Sequence, residues 1–194
     1  MVKVIIDINR RITQGDIYKN VDYIQQIEYV DNQELIVHKI LFPLVVVLTQ
    51  DCDLQQDSAY YDKERTPSSN DKKLFSVIVA PLYNEDIFLQ GQHLAHNSIG
   101  YQMRVFNKKR KGKLTSHYKS LIDNEIPRYH HMDFVGVNIV PSVIDFKHYF
   151  SVDIENLNKN RRAKYVCSVK ELYREQITQR FANFLSRIGL PNPE

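Results

Sequence analysis

A chain of 194 residues, 43% hydrophobic and 25% charged with six Gly and seven Pro, fits one domain with a full core and excludes a collagen-like or wholly disordered protein. The 26 Lys and Arg against 23 Asp and Glu leave a net charge of +3, which selects no class of partner. No apolar run reaches the roughly 18–20 residues of a membrane span; two cysteines are too few for a disulfide framework, and nothing ahead of the first strand pattern reads as a leader, so the expected compartment is a reducing cytoplasm.

Residues 2–8 are a β-branched run that predicts a strand, and Gly15-Asp16 marks a turn before the next. Residues 17–30 carry both a helical spacing (Val21, Ile24, Ile27) and a Tyr and Val enrichment that favours extended structure. Residues 34–40 alternate as a strand, and Pro43 is expected to interrupt the apolar run that follows. Leu44-Val-Val-Val-Leu48 and Phe75-Ser-Val-Ile-Val-Ala-Pro-Leu82 are apolar on both faces, the pattern of strands buried on both sides. Residues 134–140 and 143–152 complete the strand set, with a loop around Pro127 expected over residues 123–131. Two polar excursions, about residues 50–73 and 84–128, read as insertions on this frame, and residues 58–73 are polar enough to be mobile.

The tail differs in period. Ser168 with Glu171 three residues later matches a capping box, and Leu172, Tyr173, Ile177, Phe181, Phe184, Leu185 and Ile188 recur at helical steps. This predicts an amphipathic helix, stopped by Gly189 and Pro191. Its other face holds Lys170, Arg174, Gln179 and Arg187, so the helix is expected to pack on the sheet, with a partner-binding role as the alternative.

Charge is unevenly placed. Arg104, Lys108, Lys109, Arg110, Lys111, Lys113 and Lys119 fall in one stretch without an acid. Asn107-Lys-Lys-Arg-Lys-Gly-Lys113 fits a hairpin tip that is either a solvated loop or a phosphate-contacting element with salt-sensitive binding. Tyr101, Phe106 and Tyr118 flank it and either stack on unpaired bases or form the inward side of two strands. Thr49-Gln-Asp-Cys-Asp-Leu54 follows a buried strand, where functional loops emerge. There Asp51 and Asp53 either hold a hard cation or shape a turn or helix start, and two carboxylates beside Cys52 disfavour its thiolate. His130-His131 is the other polar knot, but neighbours in a strand point to opposite faces. His93 and His96 share one helical face without a third ligand. Phosphate-binding loops, dinucleotide fingerprints, nucleophile elbows and zinc motifs are absent from the sequence, and no cofactor or metal is expected.

In order along the chain, Gln14-Gly-Asp-Ile-Tyr18, Phe42-Pro-Leu-Val-Val-Val-Leu48 and Val77-Ile-Val-Ala-Pro-Leu-Tyr83 resemble the MazF/PemK-like toxin family. The resemblance implies a mainly β fold with α: an elaborated SH3-like barrel over residues 1–155, with residues 156–194 forming a linker and the C-terminal amphipathic helix. It also implies metal-independent cleavage of single-stranded RNA through the 2′-hydroxyl, carried by an Arg before the Pro and a Ser or Thr after the Ala-Pro-Leu strand. Those positions are Phe42 and Tyr83 here, and a phenyl ring cannot stabilise a phosphorane. The tail is similar to those of uncharacterised bacterial and phage-associated proteins, which implies a mobile-element or defence context.

The leading expectation is a non-catalytic binding or accessory module of a bacterial conflict or regulatory system. Its ligand is nucleic acid, RNA before DNA, or a protein partner, and self-association stays open. Lys108–Lys113 and Arg104 would contact phosphates, and Asp51, Cys52 and Asp53 would form a rim loop. The alternative is a diverged endoribonuclease with Arg11, His130 and His131 supplying charge stabilisation and proton transfer.

Overall fold

A computed structural model describes residues 1–30, 34–60, 69–95 and 99–187. The chain runs β1 (Val2–Ile5), β2 (Asp16–Val30), β3 (Glu34–Val47), α1 (Asp51–Tyr60), β4 (Ser76–Asn84), α2 (Glu85–Leu89), β5 (Lys109–Arg110), β6 (Lys113–Leu114) and α3 (Ser116–Ile122). It continues with β7 (Tyr129–Met132), β8 (Phe134–Val135), β9 (Ser142–Asp145), a 3-10 turn (Phe146–His148), β10 (Phe150–Asp153), α4 (Ile154–Lys159), α5 (Arg161–Lys164), β11 (Tyr165–Val169) and α6 (Glu171–Leu185). Among these, no helix is long and apolar enough to cross a membrane.

Nine strands form one mostly antiparallel sheet in the order β7-β9-β4-β3-β2-β11-β1-β8, with β10 also paired to β4. The fold is therefore mixed α/β around a large sheet, and among the described residues no ladder closes that sheet into a barrel. Its two ends nevertheless lie on one piece of chain. Asp133 alone separates β7 from β8, and this segment pairs with β9 through its first half and in parallel with β1 through its second.

The period of two in the buried strands sorts side chains onto the two faces. Val45 and Val47, with Val77 and Val79, enter one core, while Val46 and Leu48, with Ala80 and Leu82, enter the other. The first core is covered by α2 and α3 through Phe88, Leu89, Tyr118 and Leu121. The second is covered by α6 through Ile177 and Phe181, with Tyr173 and Phe184 partly buried against it. Beyond the basal pairings with β11 and β4, β2 and β3 continue as a two-stranded ribbon. That ribbon exposes Ile24, Ile27, Tyr29, Leu35 and Leu41.

Several expectations are corrected. Residues 17–30 are strand, as composition favoured over helical spacing. Pro43 does not interrupt β3: the ladder pairs Lys19 with Leu44 and Val21 with Phe42 but skips the level of Asn20, whose φ of 55° turns its backbone aside. A proline without an N–H is tolerated at such an unpaired position. Residues 143–152 are two strands rather than one, because the Asp145 side chain accepts from Lys147 N and caps the 3-10 turn between them. Beyond Val135 the expected strand over 134–140 ends where Gly136 takes a φ of +85°.

His130 and His131 lie in β7 rather than in the loop. Ser168 belongs to β11, and its hydroxyl donates to Asp16 instead of capping α6, which starts after Lys170 with no side-chain cap. Leu172 is 70% exposed, off the buried stripe of α6. The boundary expected at residue 155 falls inside the fold, since β11 lies between β2 and β1. The stop signals at Gly189 and Pro191, with Ile188, lie outside the described residues, as do residues 61–68 of the 58–73 stretch.

Candidate functional site

Asp145, fully buried at the end of β9, organises a group of polar side chains. Arg128, in the loop before β7, donates from Nε to Oδ1 at 2.8 Å and from Nη2 to Oδ2 at 2.6 Å, a bidentate pair. The 3-10 turn capped by the same carboxylate brings His148 back, so that its Nδ1 lies 3.5 Å from Asp145 Oδ2 and 3.1 Å from the Tyr83 hydroxyl. His93 reaches the group from the turn after α2, with its ring centre 4.7 Å from that of Phe88 and 4.6 Å from that of Tyr83.

That turn depends on Gly91, whose φ is +70° and where a Cβ would meet Met103 O at 2.2 Å. Hydrogen bonds from Met103 N to Gly91 O and from Phe106 N to Leu89 O, both 2.8 Å, lash residues 103–106 to the end of α2.

Burial sets the protonation here. It pushes His93 down to about 4, helped by His148 and Arg128 against the pull of Asp145. Burial likewise lowers His148, in spite of Asp145, and raises Tyr83. Both imidazoles are therefore neutral at pH 7 and the phenol keeps its proton.

This group opens on a cavity of about 490 Å³. Arg128, Lys147, His148 and Tyr83 line its polar side, and Tyr23, Phe42, Tyr101, Tyr149 and Phe150 line the rest. Phe42 stacks on Phe150 at 5.3 Å, while Tyr101 is 65% exposed at the mouth. A second cavity, about 780 Å³ and more polar, lies along the basic hairpin and is lined by Arg104, Lys109, Arg110, Lys113 and His117 among others. The two are joined by the chain itself: Ile99, Tyr101 and Met103 face the first, and Arg104 to Asn107 the second.

The hairpin is built as the sequence suggested, on a two-residue turn with Lys111 at φ 50° and Gly112 at φ 78°, the sign pattern of a type I′ turn. Its base is tied down by Glu85, a buried carboxylate accepting from Lys108 Nζ at 3.0 Å and Tyr118 Oη at 2.8 Å, with His131 Nε2 at 2.9 Å. Burial works against the Glu85 charge, but His131, Lys108 and Tyr118 outweigh it and hold the carboxyl below its ordinary range. Glu85→Ala is expected to cost about 2–3 kcal/mol, since it leaves a phenol and an imidazole without their partner. Urea unfolding reads that loss, and faster tryptic cleavage between Lys108 and Lys113 reads the freed hairpin.

The other predicted residues occupy structural positions. Arg11 donates to Asp51 Oδ1 at 3.1 Å and Oδ2 at 2.8 Å and to Ile12 O at 2.9 Å, which clamps the β1–β2 loop to the start of α1. Burial opposes the Asp51 charge, yet Arg11, the Gln14 N–H and Arg174 bring its carboxyl below the usual range. Asp51 and Asp53 stand in the first turn of α1, where the helix dipole favours acids. Cys52 is exposed and its thiol faces Gln50 and Asp53.

His130 is buried beside Phe146, with its pKa pushed down to about 3 by burial and then by Arg180 and His131. His131 points the other way, to Glu85. Arg11 is bonded to Asp51 and Ile12 O, His130 packs beside Phe146 and His131 bonds Glu85, so Arg11 shares no partner with either histidine and the three are not gathered around one group. Of the basic run, Arg104, Lys109, Arg110 and Lys113 share the second cavity, Lys111 sits in the turn, and Lys108 is held by Glu85 with the Tyr118 ring 5.2 Å away. Phe106 and Tyr118 are buried, the inward reading, whereas Tyr101 stays exposed.

Sequence reasoning missed Arg128, Asp145, Lys147 and His148. Asp145 and His148, three apart, were the one local signal, hidden inside what reads as a continuous strand. His93 was noted only with His96, which lies outside the described residues.

No family model matches the chain, and no curated protein matches it.

Proposed function

We propose that this protein binds single-stranded nucleic acid, RNA before DNA, with unpaired bases entering the aromatic cavity and the backbone following the basic hairpin. The observation that carries this reading is that one stretch of chain, residues 99–107, supplies lining residues to both cavities in turn. Aromatic walls suit base stacking, which tolerates any base, and Arg104, Lys109, Arg110 and Lys113 suit phosphates. The order of motifs that resembles the MazF/PemK-like toxins supports the same ligand. The bent segment β7–β8, pairing at both ends of the sheet, supports a barrel-like ancestry for the frame. A role within a bacterial conflict or regulatory system follows from that resemblance.

A second reading, cleavage of the bound strand, is favoured by one observation. Phe42 and Tyr83, which stand where the toxins place their Arg and their Ser or Thr, both line the aromatic cavity, and so do Arg128, Lys147 and His148. In this reading Arg128 and Lys147 supply the positive charge missing at position 42, and neutral His148 moves the proton. Arg11, His130 and His131 then have no part in the chemistry.

One experiment separates these outcomes: labelled single-stranded RNA is titrated at several salt concentrations and then run on a denaturing gel. Neutralising Lys109, Arg110 and Lys113 together is expected to flatten the slope of log K against log salt by about 2, at roughly 0.7 per phosphate contact on a single strand. Tyr101→Ala is expected to weaken binding by about 5- to 100-fold through lost stacking. Cleaved RNA that survives intact with His148→Ala supports the second reading. Absence of binding at low salt would overturn both and leave a protein partner as the ligand.

A further inference from the structure

We propose that His93, Asp145 and His148 bind a borderline divalent transition-metal ion of the Zn²⁺ or Co²⁺ class at the floor of the aromatic cavity. One ligand atom from each of the three lies within 4.8 Å of the others, and His93 and Asp145 are buried. A tetrahedral ion with bonds of about 2.0–2.1 Å spaces its ligands roughly 3.4 Å apart, so the side chains need to draw in by an ångström or so. The inference is independent of whether nucleic acid is the ligand.

The second observation is His93 itself. It is 6% exposed, and among the described residues neither of its ring nitrogens has a hydrogen-bond partner. A buried imidazole with both nitrogens unsatisfied forfeits hydrogen bonds that water would have supplied, and native proteins rarely leave such a group without a reason. Here the ring is fixed between Phe88 and Tyr83 and shares the cluster with a carboxylate and a second neutral imidazole. An ion accepting one nitrogen lone pair satisfies it.

Asp145 has a lone pair to give. Oδ1 takes Arg128 Nε and Lys147 N, and Oδ2 takes Arg128 Nη2. One lone-pair direction of Oδ2 is left, on the atom 3.5 Å from His148 Nδ1. Arg128 then orients the ligating carboxylate as an outer-shell partner, and His148 Nδ1 exchanges the Tyr83 hydroxyl for the ion. Two imidazoles and one carboxylate already balanced by Arg128 suit a borderline ion and disfavour Mg²⁺ and Ca²⁺, which demand oxygen ligands. Because Tyr83, Arg128 and His148 also line the cavity, the remaining coordination positions face it and take water or a ligand oxygen.

The test is titration of the chelator-treated full chain with Co²⁺, read by visible absorption, and with Zn²⁺, read by calorimetry. The expected result is one ion per chain, not displaced by millimolar Mg²⁺. His148→Ala and His93→Phe, the second of which refills the aromatic slot, are each expected to weaken it by more than the ~10–100-fold that loss of an outer-shell partner costs. Circular dichroism establishes that each variant is folded. Absence of stoichiometric binding by the wild-type chain overturns the proposal. So does binding that His93→Phe leaves within twofold, which would assign the ion to exposed histidines such as His38 or His117.

Discussion

Asp16→Ala is expected to lower stability by about 3–5 kcal/mol, the range for breaking a buried ion pair from one side. Asp16 is fully buried at the start of β2 and accepts from Thr13 N, Thr13 Oγ1, Ser168 Oγ and Arg161 Nη1. Arg161 is itself 7% exposed, bonded to the Tyr18 hydroxyl, with its guanidinium 4.6 Å from the Tyr165 ring centre. Removing the carboxylate strands that guanidinium in the core and frees the joint between β2, β11 and α5. Urea midpoints at constant slope measure the loss. Pairing Asp16→Leu with Arg161→Met is expected to cost less than Asp16→Ala alone, since no charge is then left buried. A cost under about 1 kcal/mol for Asp16→Ala would mean that the network contributes little.

The second large effect is acid sensitivity well above the carboxylate range. His93 is pushed down to about 4 and His130 to about 3, both first by burial, from an ordinary value near 6.5. Between about pH 6.5 and 4 the unfolded chain takes up protons on both residues that the folded chain refuses. Stability therefore rises with pH across that window and falls as acid is added. Two protons correspond to about 2–3 kcal/mol per pH unit at the steepest. Glu85 and Asp51 act on the other side of it: their lowered values stabilise the fold above the ordinary carboxyl range, and that contribution is lost only below about pH 4.5. Unfolding of chelator-treated protein from pH 7 to 5 measures the slope, and His130→Asn is expected to remove the part due to its one proton, with His93 and the likewise lowered His148 carrying the rest. A flat profile down to pH 5 would mean that the two rings are open to protons in the folded state.

What the sequence disclosed follows from what is local. The doubly apolar strands around Val45 and Val79, the α6 stripe of Ile177 and Phe181, and the Lys111-Gly112 turn all announce themselves through a period or a dihedral preference within a few residues. Pro43 misled because its tolerance depends on Asn20, across the ladder. Ser168 misled because Asp16 competes for its hydroxyl. The candidate site was hidden for the same reason: Arg128, His93 and the Asp145–His148 stretch come from three separate segments, and only Asp145 and His148 are near one another in sequence. The acidic Asp51-Cys52-Asp53 and the His130-His131 pair drew attention as clusters, yet one anchors a loop and the other points its two rings to opposite faces.

The bent segment through Asp133 also bears on how the chain can assemble during synthesis. Strand β1 has two neighbours, β8 and β11, and both come from far down the chain, where Val2 meets Phe134 and Val4 meets Val169. An emerging polypeptide can thus form the β2–β3 hairpin early, but it holds β1 without a partner until β8 has been made, and without its second partner until β11 follows. The last docking step then inserts β11 between β2 and β1, a non-local pairing on both sides, which makes for slow folding and a window in which incompletely paired strands are open to capture by chaperones.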